Sequence, residues 1–309
     1  MDLKTRSLSA HDNSDPTNRK TNTRFKDRIH MVTVEYLLNF IREDAPFGDI
    51  TSETIIPEIE CKARISIESP AVVAGLEEAS ALFRYFEVDV DQPVTDGSDV
   101  RSGDTLLTLQ GPAKKILLVE RTALNIIGRM SGIATATREF VELVRRVNPS
   151  CRVAATRKTC PGFRELDKKA VSLGGGDPHR ANLSDGILIK DNHLAIVSLK
   201  NALSIAQSSS PRYKVEVEVE TGKDAVRAAQ SGSDVIMFDN MSPRQVQKSL
   251  DALIQKGLRD RVVIEISGGI DADTIVEYAS LGVDVISIGA LTHSVKNIPV
   301  HLEIQPPGT

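Results

Sequence analysis

Beyond Ser150 the chain settles into a rhythm that limits the folds open to it. Short β-rich runs (Arg152–Thr156, Ile187–Ile189, Val215–Val219, Val235–Phe238, Val262–Ile266 and Val285–Ile288) alternate with helical stretches. Such alternation implies parallel strands joined by right-handed crossovers. Each run stops at a polar residue or a glycine: Arg157-Lys158, Lys190, Glu220, Asp239, Ser267 and Gly289. In a (β/α) barrel the carboxyl ends of all strands point at one site. An open doubly wound sheet has the same alternation. The barrel is preferred because every strand, not just a central pair, ends in potential chemistry.

The run Val215-Glu216-Val217-Glu218-Val219-Glu220 alternates carboxylates with valines, so the carboxylates share one face. On a central barrel strand that face is buried and needs cations. Arg157, Lys158 and Lys190 are the expected partners, giving a charge-paired interior. Two glycine-bearing turns follow the last strands: Ser267-Gly268-Gly269-Ile270-Asp271 and Gly289-Ala290-Leu291-Thr292-His293-Ser294. In barrels the loops after the last two strands are the usual phosphate site, where free backbone N–H groups meet the anion.

Between Ala155 and His193 the chain gathers Arg157, Lys158, Arg164, Lys168, Lys169, His179, Arg180, Lys190 and His193, together with Gly174-Gly175-Gly176. The whole protein is net acidic, with 38 Lys and Arg against 42 Asp and Glu. A local cation density of this kind carries a repulsive cost that a polyanion offsets. An enzyme for a highly negative small molecule is expected. The overall charge disfavours nucleic acid. No apolar run approaches the ~20 residues of a membrane span. Cys61, Cys151 and Cys160 are too few for a disulfide scaffold and lack metal-ligand spacing, which fits a cytoplasmic protein.

Upstream, residues 1–31 are polar and lack the apolar core of a signal peptide, so a disordered extension is expected, with Met31 as an alternative start. Asp2, Asp12 and Asp15 argue against a transit peptide. Tyr36, Leu37, Phe40 and Ile41 have helical spacing, and Phe47–Ser52 breaks that helix. Cys61–Ser69 reads as a half-exposed strand and Glu77–Phe86 as a helix. Val94–Ala113 reads as a β-hairpin. A swinging-arm carrier domain would need a lysine at the hairpin tip, and the turns hold Gly97-Ser98 and Ser102-Gly103 instead. Ile116–Arg146 is a long helical pattern, expected to break into two helices at Gly128 and Ser131-Gly132. Arg121 and Asn125 share one of its faces.

Ten ordered motifs carry a family resemblance: FGDITS (Phe47–Ser52), ERTALN (Glu120–Asn125), SGIAT (Ser131–Thr135), TRKT-x-PG (Thr156–Gly162), GGG-x-x-HR (Gly174–Arg180), LIKDNH (Leu188–His193), EVEV (Glu216–Val219), DN (Asp239-Asn240), SGGI (Ser267–Ile270) and GALTHS (Gly289–Ser294). From about Val32 onward the chain resembles the quinolinate phosphoribosyltransferases of NAD synthesis. Cys160 departs from the family's usual Thr or similar small residue and places a thiol near the site.

The resemblance implies an α/β fold, with an N-terminal α/β sandwich domain (residues 32–130) and an incomplete (β/α) barrel of phosphoribosyltransferase type (131–294). Residues 295–309 would pack back on the first domain. It implies transfer of phosphoribosyl from 5-phosphoribosyl-1-pyrophosphate to quinolinate, with decarboxylation. Arg121, Arg157, His179 and Arg180 would bind quinolinate, with Lys158 and Lys190 nearby and shared with the sugar diphosphate, and Thr156 would also contact substrate. Glu218 and Asp239 would stabilise the ribose cation and lie near Mg²⁺, the implied cofactor. Ser267, Gly268, Gly269, Gly289, Ala290 and His293 would hold the 5-phosphate. It further implies a homodimer, or a hexamer of dimers, with Arg121 reaching a neighbour's site. Competing expectations are a molybdenum-transport-associated homologue of the same scaffold, a nicotinate phosphoribosyltransferase, and a non-catalytic phosphate-ligand barrel.

Overall fold

The computed structural model describes residues 32–209 and 212–305. The expectations for residues 1–31 lie outside the described residues.

The helix α1 (Val34–Asp44) is capped by the Thr33 hydroxyl and buries Leu37, Leu38 and Ile41. The break at Phe47–Ser52 is itself a cap. The Asp49 carboxylate accepts from Thr51 N and Ser52 N at 3.0 and 3.1 Å and starts α2 (Ile50–Ile55). Then come β1 (Glu60–Ile67), β2 (Ala71–Val72), α3 (Leu76–Tyr85), β3 (Asp89–Asp91), β4 (Asp99–Val100), β5 (Thr105–Pro112) and α4 (Ala113–Arg145). The expected hairpin over Val94–Ala113 does not form. β4 pairs with β2, whereas β5 pairs with β1 and β3. Alternation and turn residues mark strands and bends but not which strands meet. A last strand, Val300–Gln305, lies antiparallel on the other edge of β1, completing a four-stranded sheet. Ile65, Ile67, Leu107 and Leu109 from this sheet share one apolar cluster with Leu82 and Phe83 of α3 and Ile116 and Ile127 of α4.

The expected pair of helices over Ile116–Arg146 is a single 33-residue helix, α4. Its glycines are not breaks. The backbone of Lys296–Ile298 crosses the helix there, and the Ile298 N–H donates to Gly128 O at 3.0 Å. A Cβ on Gly132 would overlap the Lys296 carbonyl oxygen, and one on Gly128 would stand 2.9 Å from Ile298 O.

The remaining strands are β6 (Arg152–Ala155), β7 (Ile187–Ile189), β8 (Val215–Val219), β9 (Val235–Asp239), β10 (Val263–Ser267) and β11 (Val285–Ile288), with Val300–Gln305 becoming β12. The helices α5 (Arg164–Leu173), α6 (Asp191–Leu194), α7 (Leu199–Ser209), α8 (Gly222–Gln230), α9 (Pro243–Gln255), α10 (Ile275–Ser280) and α11 (Ala290–His293) alternate with them. All six strands are parallel, in the order β6-β11-β10-β9-β8-β7. The last strand therefore pairs with the first, while β6 and β7 do not meet. This is a barrel open on one side, as the strand ends suggest. Val217, Ile236, Phe238, Ile264, Ile266, Ile286 and Ile288 supply its apolar packing.

The segment after α5 lines the β6 side of the opening. Asp177 forms an isolated parallel bridge with Ala154, its N–H donating to Val153 O at 2.8 Å. The triple glycine makes that return possible. A Cβ on Gly176 would lie 2.6 Å from the Thr137 side chain, and one on Gly174 would strike Thr137 and the Ala134 carbonyl of α4. These glycines serve close packing against α4.

Candidate active site

All the predicted site residues except Arg121 lie at or beside the carboxyl ends of the strands. After β6, Thr156 Oγ1 accepts from Lys158 N at 3.2 Å, and the Lys158 carbonyl accepts from Thr292 Oγ1 at 2.9 Å. Lys158 is exposed, and its Cδ lies 3.3 Å from where a Gly289 Cβ would stand, beside the His293 ring. The first and last strands thus bring their turns together. The Arg157 Nε is buried without a hydrogen-bond partner among the described residues.

His179 and Arg180 follow the Asp177 bridge. His179 takes a left-handed conformation (φ 54°), and its N–H donates to Asp177 Oδ1 at 2.8 Å. Lys168 of α5 hydrogen-bonds the Pro178 carbonyl just before it. The His179 Nε2 lies 3.1 Å from Glu265 Oε2 on β10 and 3.9 Å from Glu216 Oε2 on β8. Burial alone would lower the imidazolium's pKa. Glu265, with Glu216 and Asp177 beyond it, more than reverses that and raises it to about 9. Arg180 donates to Gly186 O at 3.3 Å, and its pKa is lowered by burial first and by the nearby Arg157 charge second. Two guanidinium groups that repel one another in a partly desolvated corner favour an anion between them.

Opposite stand the carboxylates. Glu218, half-buried on β8, forms an ion pair with Lys190 at the end of β7. Asp239 ends β9, where its Oδ2 accepts from Asn240 Nδ2 at 2.8 Å. Asn240 is itself left-handed (φ 52°), and its N–H donates to Ser267 O at 2.9 Å. Gly268 packs so closely on it that a Cβ would lie 2.6 Å from Asn240 Cγ, and Gly268 has φ 97°. Only glycine fits both demands. The N–H groups of Gly268 and Gly269 have no acceptor among the described residues. Gly289 and Ala290 open α11, and His293 Nδ1 lies 2.7 Å from Ser294 Oγ.

Not every expected partnership holds. Of the carboxylates on the EVEVEV run, only Glu218 meets one of the expected cations; Glu216 faces His179 instead, and Glu220 is exposed. The cation-rich stretch also divides its labour. Lys169 pairs with Glu77, Glu78 and Asp96, and Arg164 holds Thr159 Oγ1 at 2.9 Å. His193 Nδ1 accepts from Lys190 N at 2.9 Å and fixes the turn that presents Lys190. Arg121 is exposed on α4 and forms no hydrogen bond or ion pair among the described residues. Nothing described ties it to the strand-end cluster of its own chain.

Two groups at the site were not legible as such. Glu265 lies inside an apolar run, where its only signal is a charge on a buried strand, and Ser287 Oγ donates to Glu265 Oε1 at 2.5 Å. Arg129 holds the buried Asp167 through two 2.9 Å bonds and donates to Thr292 O at 3.0 Å, joining α4, α5 and α11.

Known proteins are similar to this chain in sequence and fold. Residues 49–131 match the family model described as quinolinate phosphoribosyl transferase, N-terminal domain, and residues 133–303 match that of the C-terminal domain. A Methanothermobacter thermautotrophicus protein named probable nicotinate-nucleotide pyrophosphorylase (carboxylating) is 45% identical over 88% of this chain and 99% of its own. The human nicotinate-nucleotide pyrophosphorylase (carboxylating) is 34% identical over 88% and 92%. The crystal structure of nicotinate-nucleotide pyrophosphorylase from Ehrlichia chaffeensis has a TM-score of 0.84 and 32% identity, covering 89% of this chain and all of that one. Human nicotinic acid phosphoribosyltransferase, at TM-score 0.56 and 13% identity, shares the fold alone. Matched along both domains and carrying the strand-end residues in order, this chain belongs to the quinolinate phosphoribosyltransferase family.

Proposed function

We propose that the protein transfers phosphoribosyl from 5-phosphoribosyl-1-pyrophosphate to quinolinate, releasing pyrophosphate and carbon dioxide and forming nicotinate mononucleotide. One observation carries the reading. Arg157, Lys158, His179, Arg180 and Lys190 are delivered to the same strand ends as Glu218, Asp239 and two glycine turns. Both substrates are polyanions, and quinolinate's two carboxylates suit planar guanidinium groups.

Quinolinate would rest against Arg157, His179 and Arg180, with Thr156 at its edge. Lys158 and Lys190 would lie between it and the diphosphate. The 5-phosphate would take the free N–H groups of Gly268 and Gly269 beside Ser267, with Gly289, Ala290 and His293 across from them. The ring nitrogen attacks ribose C1 while the C1–oxygen bond breaks, and pyrophosphate leaves with the electron pair. Glu218 and Asp239 stabilise the positive charge that builds on the ribose. The adjacent carboxylate then leaves as carbon dioxide. Its electron pair stays at the ring carbon beside the cationic nitrogen until a proton arrives. The ring is its own electron sink, so no organic cofactor is needed.

The residues present fit Mg²⁺. Glu218 and Asp239 offer hard oxygens on neighbouring strands, each already engaged by one side chain, which leaves most of the coordination to diphosphate and water. Bound there, the ion would neutralise charge on the leaving diphosphate. We also propose a homodimer, or a hexamer of dimers, in which Arg121 completes a neighbour's quinolinate site. Its exposure, and its lack of a hydrogen bond or ion pair among the described residues, support this. No described helix is long and apolar enough to cross a membrane. With three free thiols, the protein suits the cytoplasm.

The test uses the full chain, Mg²⁺ and the sugar diphosphate, with quinolinate or nicotinate offered in turn. Carbon dioxide and pyrophosphate should appear in equal amounts with quinolinate. Equal turnover of nicotinate would refute the assignment.

A further inference from the structure

Beneath the cationic corner, two carboxylates lie where a site for a dicarboxylate would be expected to avoid them. Glu265 is 2% exposed and Glu216 8%, and both face the His179 imidazole. Glu265 is the sole acidic residue of β10, and Glu216 is the more buried of the two carboxylates that share a face of β8; placing charge there is costly without a use for it. The geometry around Glu265 is specific. Its Oε1 accepts from Ser287 Oγ at 2.5 Å, and its Oε2 meets His179 Nε2 at 3.1 Å. Three elements thus define a single ring orientation: β11 through Ser287, β10 through Glu265, and the segment carrying His179. The backbone of that segment is fixed separately, by Asp177 on His179 N–H and by Lys168 on the Pro178 carbonyl. With Nε2 committed to Glu265, Nδ1 is the ring's free donor; it has no hydrogen-bond partner among the described residues.

We propose that Glu265, anchored by Ser287, is a positioning residue that keeps His179 as an imidazolium and aims its Nδ1–H at a quinolinate carboxylate. This rests on the substrate reading above. A ligand's far nitrogen is commonly fixed by such an outer carboxylate, and the same logic sets the ring's charge here. The groups facing His179 are Glu265 from β10, Glu216 from β8 and Asp177 from its own segment, with Arg180 beside it. All but Arg180 favour the charged ring. Glu216 is the more distant carboxylate, and one of its oxygens is buried without a partner, so it supplies field and no fixed bond. Without Glu265, only Glu216 and Asp177 oppose the effect of burial, so His179 would titrate lower than in the wild type, toward its ordinary value. Its Nδ1 would then be as free to accept as to donate and could no longer hold a carboxylate reliably. A second consequence concerns selectivity. A fixed Nδ1–H donor at this point rewards a substrate with two carboxylates over one with a single carboxylate, because the donor would otherwise be left without an acceptor.

The test compares wild type with Glu265→Gln and Ser287→Ala in the full chain. At pH 8 an imidazole of pKa about 6.5 is about 3% protonated, against about 90% at pKa about 9. Glu265→Gln should therefore raise KM for quinolinate up to about 30-fold at pH 8. KM for the sugar diphosphate should change little, and the quinolinate defect should shrink below pH 6.5. Ser287→Ala should give the same pattern in weaker form. A purely structural role would raise both KM values with no recovery at low pH, and that result would overturn the proposal. NMR titration of the His179 ring in the substrate-free wild type adds a readout independent of turnover and of whether the variants fold. A pKa well above 6.5 is expected, and one at or below 6.5 would refute the inference. Failure of wild type to consume quinolinate would instead sink the substrate assignment, leaving the ring titration as the measure of the Glu265–His179 pair.

Discussion

Gly132→Ala is the sharpest test of how the long helix organises this protein. In an isolated helix the change is favourable, since alanine exceeds glycine by about 1 kcal/mol in helix propensity. Here the added methyl group would overlap the Lys296 carbonyl oxygen and lie 3.3 Å from Asn297 Cα. A flexible side-chain tip could turn away, but a backbone carbonyl cannot without moving the segment. Overpacking of this kind costs about 1–3 kcal/mol. Because the contact is backbone, the upper half of that range should apply, leaving a net loss of about 1–2 kcal/mol. For a chain of this size that lowers Tm by about 2–3 °C. Gly128→Ala should go the same way more gently, its methyl meeting Ile298 O at 2.9 Å. Lys296 lies two residues beyond the Gly289–Ser294 turn, so displacement should also raise KM for the sugar diphosphate more than KM for quinolinate. Thermal melts and two-substrate kinetics read both effects. A Gly132→Ala protein with wild-type or higher Tm would show that helix propensity outweighs the crossing, and the reasoning would fail.

Three further outcomes are expected. Glu218→Gln should lower turnover by the equivalent of ~2–4 kcal/mol while leaving substrate binding and Tm nearly unchanged, as befits a group acting mainly on the transition state; unchanged turnover in a stable variant would remove Glu218 from the mechanism, and a large fall in Tm would make it chiefly the counter-ion of Lys190. Asp167→Asn should cost about 3 kcal/mol by denaturant melt, the low end for breaking a buried ion pair because Arg129 is partly exposed; a change under about 0.5 kcal/mol would mean the pair holds nothing together. Mixing Arg121→Ala with Lys158→Ala protomers should restore activity if Arg121 serves a neighbour, because hybrid dimers then regain one intact site; verified hybrids with no activity would place Arg121 in its own chain's site.

The barrel strands were legible because each is a short, mostly apolar run ending at a polar residue or a glycine, and tertiary packing rarely overrides so strong a local pattern. The N-terminal region was less so. Val94–Ala113 has the turn chemistry of a hairpin, yet β4 and β5 pair elsewhere, since turn residues permit a bend without choosing a partner. Gly128 and Gly132 look like helix breakers in one dimension, and only the crossing segment Lys296–Ile298 explains them. At the site, strand ends announce themselves through charge next to an apolar run, which is why Lys158, Lys190, Asp239 and Ser267 could be chosen. Glu265 could not, because a single charge inside Val-Ile-Glu-Ile-Ser has no local signature of its partners. Those partners, His179 and Ser287, come from distant positions.

The continuity of α4 matters to catalysis as well as to stability. Arg129, midway along it, grips Asp167 of α5 and the Thr292 carbonyl of α11, and the Thr292 hydroxyl in turn holds the Lys158 carbonyl after β6. One helix therefore sets both the Gly289–Ser294 turn and the turn that carries Arg157 and Lys158. Arg121 rides on the same helix eight residues earlier, about 12 Å along its axis. Two helices hinged at Gly128 would let Arg121 and Arg129 move independently. An unbroken rod fixes the exposed guanidinium relative to the site its own chain builds. If Arg121 reaches into a neighbouring site, each helix braces one active centre and completes another, and an error in its placement degrades both. Substrate positioning tolerates little error, and a displacement of about 1 Å can cost a hundredfold in rate. This accounts for the use of glycine where alanine would make a better helix. The crossing segment that those glycines admit holds the rod against the sheet, and with it the angle at which Arg121 leaves the surface.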